Sequence, residues 1–143
     1  DGPGMITHIW FTGYVGHSFV MRIYWENEEF PSVEAPISAF FGCAYDENFK
    51  DRDGNYIVLN SAKILTAPGR GFNSYWEMPF AKHCRITMEN RGKKEETLYY
   101  MISGWFLRMQ AISMLHIVRS IQLRKDAHIQ LLMELKAEAA LQV

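Results

Sequence analysis

All ten glycines and all five prolines of this 143-residue chain lie before Trp105, and none follows. Glycine supplies backbone conformations that other residues resist, and proline removes a ladder donor, so both punctuate strands and turns. The first 104 residues are therefore cut into short pieces, while the remainder has no strong breaker.

Between the breakers, the first part reads as β structure. Met5–Thr12 is rich in β-branched and aromatic residues. Phe19–Trp25 alternates, with Phe19, Met21, Ile23 and Trp25 on one face. Val33–Phe41 is a weaker segment interrupted by Pro36. Asp51-Arg52-Asp53-Gly54-Asn55 forms a turn before a strand-like Tyr56–Leu59, and Ala67-Pro68-Gly69 ends the next piece. Ser74–Phe80, Cys84–Glu89 and Thr97–Ile102 complete the set. Short strands separated by Gly/Pro turns predict a β-sandwich or jelly roll.

From Trp105 onward the expectation changes. Leu107, Ala111, Met114, Val118 and Ile121 recur at spacings of three and four, and Ile129, Leu132 and Met133 extend the apolar face. Good helix formers dominate. The predicted architecture is mainly β, a partial jelly-roll β-sandwich over residues 2–103, with an added C-terminal helical segment over 104–143.

A formal net charge of −1 gives no reason to expect nucleic acid or an anionic membrane as partner. The densest basic cluster, Arg91-Gly92-Lys93-Lys94, is followed by Glu95 and Glu96 and reads as a solvated loop. No run of apolar residues is long enough for a transmembrane helix. Cys43 and Cys84 have no spacing that demands a disulfide, and free thiols in a reducing compartment are the simpler expectation. Location stays open, with the cytoplasm the reading that free thiols favour. No metal motif and no cofactor motif is present. The chain opens as if cut from something longer.

The run Gly71-Phe72-Asn73-Ser74-Tyr75-Trp76-Glu77-Met78-Pro79-Phe80 combines stacking faces with an amide and a carboxylate, the equipment of a sugar-binding or sugar-cleaving surface. It belongs to an ordered series of blocks. These are Gly2-Pro3-Gly4-Met5-Ile6-Thr7-His8-Ile9-Trp10-Phe11, Arg22-Ile23-Tyr24-Trp25, Pro31-Ser32-Val33-Glu34-Ala35-Pro36, Phe40-Phe41-Gly42, the run itself with Lys82, Arg85-Ile86-Thr87-Met88-Glu89-Asn90 and Leu98-Tyr99-Tyr100. In that order they resemble glycoside hydrolase family 172 over about residues 2–103.

The resemblance implies a jelly-roll fold and retaining hydrolysis of α-D-fructofuranosides, difructose anhydrides or D-arabinofuranosides. It also implies homo-oligomers, trimers or hexamers, with active sites near subunit boundaries. The tail departs from the family pattern. Around Met109-Gln110 and Met133-Glu134, codons read in a shifted frame permit family-like Asp-Ala and Asp-Gly pairs. We therefore expect residues 104–143 to be a frame-shifted C-terminus, the alternative being a genuinely different one, and resequencing the gene would separate the two.

Retaining glycosidases use two carboxyl groups. Glu34, between Val33 and Ala35-Pro36, and Glu77, among Trp76, Met78 and Pro79, are the candidates, since an apolar burial would raise either pKa. The plainer reading makes each a surface glutamate. Asn73, Tyr75, Trp76 and His8 are candidate substrate contacts. The plainer readings are a turn Asn, a half-buried strand Tyr and a structural His. Of Trp10, Trp25 and Trp76, at least two are expected in the core. Glu26, Glu28 and Glu29 read as a solvated loop. His83 and Cys84, as adjacent strand residues, should point to opposite faces and form no nucleophile pair. Asp51, Asp53 and Asn55 read as a plain turn, since they lack the flanks of a calcium loop. The rival function is a non-catalytic carbohydrate-binding or assembly β-sandwich.

Overall fold

The computed structural model describes residues 3–43, 49–67, 71–108, 111–124 and 128–131. In chain order the elements are β1 (Gly4–Gly13), β2 (Phe19–Trp25), β3 (Val33–Pro36), the single-turn helix α1 (Ile37–Phe40), β4 (Ile64–Ala67), β5 (Gly71–Ser74), β6 (Met78–Phe80), β7 (Cys84–Asn90), β8 (Glu96–Arg108), β9 (Ala111–Leu123) and β10 (His128–Leu131). The first sheet has the order β4-β5-β1-β8-β9, with β6 also on β1; the second has the order β10-β7-β2-β3. All the pairings are antiparallel.

Alternation builds the core. In β1 the side chains of Ile9 and Phe11 are buried, in β8 those of Leu98, Tyr100 and Ile102, in β2 those of Phe19, Met21 and Ile23, and in β7 those of Ile86 and Met88. These residues form one apolar layer between the sheets, and each large side chain fully buried there contributes about 1.5–3 kcal/mol. Phe41, which follows α1, meets the ring of Phe11 edge-on at 5.6 Å and that of Phe72 at 5.7 Å. Phe49 lies 4.6 Å from Phe72. This aromatic group closes one end of the core.

Strand β1 is irregular at one point on both edges. Its pairing with β8 shifts register between Ile6 and His8. Along its other edge, β5 covers Ile9–Phe11 and β6 covers Gly4–Ile6, leaving Tyr75, Trp76 and Glu77 out of the ladder beside Thr7 and His8. Gly104 lies at the shift, and a Cβ there would strike the carbonyl oxygen of Met5. Only glycine lets the two backbones approach this closely.

Several expectations need correction. Ser74–Phe80 is not one strand, because residues 75–77 leave the sheet. Val33–Phe41 ends as strand at Pro36 and turns into α1, since proline can start a helix but cannot donate to a ladder. Tyr56–Leu59 is no strand. Tyr56, Ile57 and Val58 are exposed, so the segment has no buried face. Two of its N–H groups find partners outside a ladder, Ile57 donating to Phe49 O at 2.7 Å and Leu59 to Thr66 Oγ1 of β4 at 3.0 Å.

The helix expected from residue 104 onward is also corrected over the described residues. Strand β8 runs on to Arg108, and β9 pairs with it from Glu96↔Leu123 to Arg108↔Ala111. The apolar residues also recur at even spacing, with Leu115, Ile117, Ile121 and Leu123 in one alternating set. Ile117 and Ile121 stand in register with the buried Ile102 and Leu98. An open edge of β8 offers a row of unpaired donors and acceptors, and pairing there overrides a modest helix propensity. The expected helix beyond Leu131, including Leu132 and Met133, lies outside the described residues, as does the expected turn at Pro68-Gly69.

Candidate functional site

The outer face of the first sheet carries the chemistry-bearing side chains. With Ile9 and Phe11 turned inward, His8, Trp10 and Thr12 of β1 turn outward. Asn73 of β5 and Met101 of β8 stand on either side of Trp10 in the register. Gly71 makes room for the indole, since a Cβ there would meet Trp10 Nε1.

Three candidate substrate contacts come together. His8 Nε2 lies 3.0 Å from Asn73 Oδ1. The rings of His8 and Tyr75 are stacked, with centroids 4.7 Å apart and planes within 4°. Asn73 Nδ2 donates to Leu65 O at 3.3 Å, and Tyr75 N–H donates to Lys63 O at 2.7 Å, so β4 and the residue just before it anchor both side by side. Trp76 follows directly and is 52% exposed. Glu77 is the next residue and is exposed.

Glu34 occupies a different place. It lies on β3 opposite Arg22 in β2, on the face of the second sheet turned away from Met21 and Ile23. Arg22 Nε donates to Glu34 Oε2 at 2.9 Å, and Arg22 Nη2 to Glu89 Oε2 at 2.7 Å. Arg91 Nε is 3.1 Å from Glu89 and Arg91 Nη2 is 4.0 Å from Glu34, which completes a network of four charges across three strands and the β7–β8 turn. Burial opposes the Arg22 charge, but hydrogen bonds to Glu89 and Glu34 outweigh it and hold the guanidinium pKa above its ordinary value. The apolar burial expected around Glu34 and Glu77 is absent, since both are exposed. Glu34 lies on β3 of the second sheet, whereas Glu77 lies in the segment that leaves the first sheet between β5 and β6, and among the described residues no hydrogen bond or ion pair joins them.

The tryptophans divide. Trp25 stacks on Phe80 at 6.4 Å against the core, Trp10 is half-buried on the outer face, and Trp76 projects. Tyr99, 48% exposed and opposite Thr12, belongs to the same outer face as Trp10 and was missed in the sequence. Its signal was the alternation of Leu98, Tyr100 and Ile102, which leaves Tyr99 and Met101 outward. Glu26, exposed like Glu28 and Glu29, also accepts the backbone N–H groups of Ala81 at 2.6 Å and Lys82 at 2.8 Å, tying the β2 end to the β6–β7 turn. Its own φ is 53°, and left-handed backbone at a non-glycine residue marks a specific turn.

Burial pushes the Cys84 thiol up to about 12, so beside His83 it stays protonated and is no nucleophile. No disulfide joins Cys43 and Cys84. Among the described residues no three His, Cys, Asp or Glu side chains gather as a metal site, and no helix is long and apolar enough to cross a membrane. Asp51 closes a turn. Its Oδ1 accepts the N–H groups of Asp53 at 2.9 Å and Asn55 at 2.8 Å.

The outer face can therefore stack a flat apolar ligand face on aromatic rings and meet hydroxyls with His8 and Asn73. A family model, the GH172 first beta-sandwich domain, matches residues 1–105. No curated protein sequence matches the chain.

Proposed function

The chain belongs to glycoside hydrolase family 172, and from that premise we propose that the outer face of its first sheet binds a furanoside in a retaining glycoside hydrolase. The substrate class is α-D-fructofuranosides, difructose anhydrides or D-arabinofuranosides. The observation that carries this reading is the clustering of His8, Asn73 and Tyr75 beside the exposed Trp76 and Glu77. A furanose presents C–H groups to stack and hydroxyls to hydrogen-bond, and this cluster offers partners for both.

In a retaining reaction one carboxylate bonds to the anomeric carbon while the glycosidic bond breaks, and the second carboxyl gives its proton to the departing oxygen. Water then adds, with the proton returned. We assign Glu77 to this pair as the carboxylate beside the aromatic surface. Glu34, on the second sheet, serves such a site only where another subunit packs against its face. That fits a homo-oligomer, trimer or hexamer, with sites at subunit boundaries.

Glu77→Gln and Glu34→Gln, assayed on 4-nitrophenyl α-furanosides, test the assignment. Loss of turnover with retained folding supports it, and full turnover in both variants removes it. The placement of Glu34 on the second sheet and of Glu77 in the segment between β5 and β6 of the first favours a second reading, a carbohydrate-binding sandwich without catalysis. Under that reading furanosides bind, Trp76→Ala weakens the binding, and no hydrolysis occurs.

A further inference from the structure

We propose that Asn73 is a positioning residue that fixes one tautomer of His8, and that His8 Nδ1 is thereby the hydrogen-bond acceptor for a furanose hydroxyl. This rests on the furanoside-binding reading of the first sheet. It adds which atom does the recognising and what sets its polarity.

The amide of Asn73 has only one orientation compatible with its neighbours. Its Nδ2 lies 3.3 Å from Leu65 O, a backbone carbonyl that can only accept. Reversing the amide would set two acceptors against each other. Oδ1 must therefore face His8, and it lies 3.0 Å from Nε2. A carbonyl oxygen cannot donate, so Nε2 carries the proton. In a neutral imidazole the other nitrogen is then a bare acceptor. Among the described residues Nδ1 has no hydrogen-bond partner.

The ring's orientation is held. Tyr75, parallel to it at 4.7 Å, fixes its plane, and turning it over within that plane would put Cε1 in place of Nε2 and give up the bond to Asn73. The Tyr75 backbone is in turn held by Lys63 O at 2.7 Å. A half-buried acceptor beside exposed Trp76 suits a ligand that presents hydroxyl donors next to a stackable face, which is the chemistry of a sugar.

The test is ¹⁵N NMR of the histidine side chains in the native protein, with His8 assigned by its loss in His8→Gln. At a pH where the ring is neutral, a single form protonated at Nε2 is expected. Protonation at Nδ1, or a mixture of tautomers, overturns the proposal. Methyl α-D-arabinofuranoside and methyl α-D-fructofuranoside are then titrated in. Movement of the Nδ1 resonance on binding is expected, and Asn73→Leu should give mixed tautomers and weaken binding about fivefold or more, the effect of one hydrogen bond. Because the native protein carries the main measurement, a poorly folded Asn73→Leu does not blunt it. Sugar binding with Nδ1 unmoved overturns this inference and leaves the furanoside reading intact. Absence of binding by either sugar overturns both the acceptor role and that reading, even with the tautomer single.

Discussion

The imidazole of His8 and the phenol ring of Tyr75 lie face to face, 4.7 Å between centroids and 4° from parallel. They come from different kinds of backbone. His8 is a ladder residue of β1, whereas Tyr75 belongs to the three residues that leave the sheet between β5 and β6. The stack therefore pins an irregular segment to a regular one. Tyr75→Ala should lower unfolding free energy by about 0.5–1 kcal/mol, the worth of an aromatic pair, while Tyr75→Phe should be near neutral because the ring is kept. Urea denaturation of the three proteins checks both values.

The charge network predicts unequal costs for its two glutamates. The Glu34 side chain is 46% exposed, that of Glu89 13% and that of Arg22 12%. Removing Glu34 takes an exposed partner from Arg22 and should cost no more than about 1 kcal/mol. Removing Glu89 leaves the largely buried side chain of Arg22 with only Glu34 and should cost about 1–3 kcal/mol. Denaturation of Glu34→Gln and Glu89→Gln gives the comparison. A small effect at Glu34 also makes any loss of hydrolysis there a chemical effect and not an unfolding one.

Much of this arrangement is legible in the sequence. Phe19–Trp25 is β2 residue for residue, because its alternation matches one buried face. The candidate contacts His8, Asn73 and Tyr75 are neighbours in space, with Trp76 next in the chain. What alternation could not give was register. Only the pairing of Trp10 with Asn73 and Met101 shows that β5 and β8 flank β1 and bring Tyr99 to the same face. The tail was misread because Leu107, Ala111, Met114, Val118 and Ile121 fit a helical period while Leu115, Ile117, Ile121 and Leu123 fit a strand period. Sequence alone does not reveal that β8 has an edge to fill. Glu34 lay in an apolar sequence context, yet its neighbours in space are arginines from β2 and from the β7–β8 turn.

Acid should open the Asp51 turn before it disturbs the sheets. The carboxyl of Asp51 is held below its ordinary value of 3.8, first by the backbone N–H and then by the side-chain amide of Asn55. A depressed carboxylate pKa stabilises the folded turn above the unfolded value, and that contribution is lost as pH falls through the folded value. The turn should therefore be intact at pH 5 and above, on the order of one pH unit clear of the unfolded value, and should loosen only below 3.8. Amide exchange at Asp53 and Asn55, followed down the pH scale in the native protein and in Asp51→Ala, checks this. In the variant the protection should be low at every pH.

Ser74 turns its hydroxyl into the core, fully buried between Ile9 and Ile64 in the register, and among the described residues its Oγ has no hydrogen-bond partner. A buried hydroxyl with nothing to bond keeps its desolvation penalty without return. Ser74→Ala removes that group while leaving the backbone ladder unchanged. It should stabilise the protein by about 0.5–1 kcal/mol. A rise in the urea midpoint with an unchanged slope is the expected result.

Asn90 shows how firmly the tail strand is tied to the sandwich. Its side chain is fully buried. Nδ2 donates to Lys94 O at 2.8 Å and to Leu123 O at 2.8 Å, and Oδ1 accepts Gly92 N–H at 2.8 Å. One amide thus closes the β7–β8 turn and holds the end of β9, so the local turn and the distant strand share a single anchor. Asn90→Leu keeps similar volume and strips all three bonds, leaving two carbonyls and one N–H without their partner. The expected loss is about 2–4 kcal/mol. Asn90→Asp keeps the acceptor for Gly92 but presents an oxygen where the carbonyls of Lys94 and Leu123 both need a donor, so it should separate the Gly92 bond from the other two. Hydrogen exchange then gives the decisive reading. In Asn90→Asp, Gly92 should stay protected while amides of β9 near Leu123 exchange faster. Equal loss in both places would mean that the turn and the strand do not depend on Asn90 separately, and unchanged protection in β9 would mean that its ladder with β8 needs no such anchor.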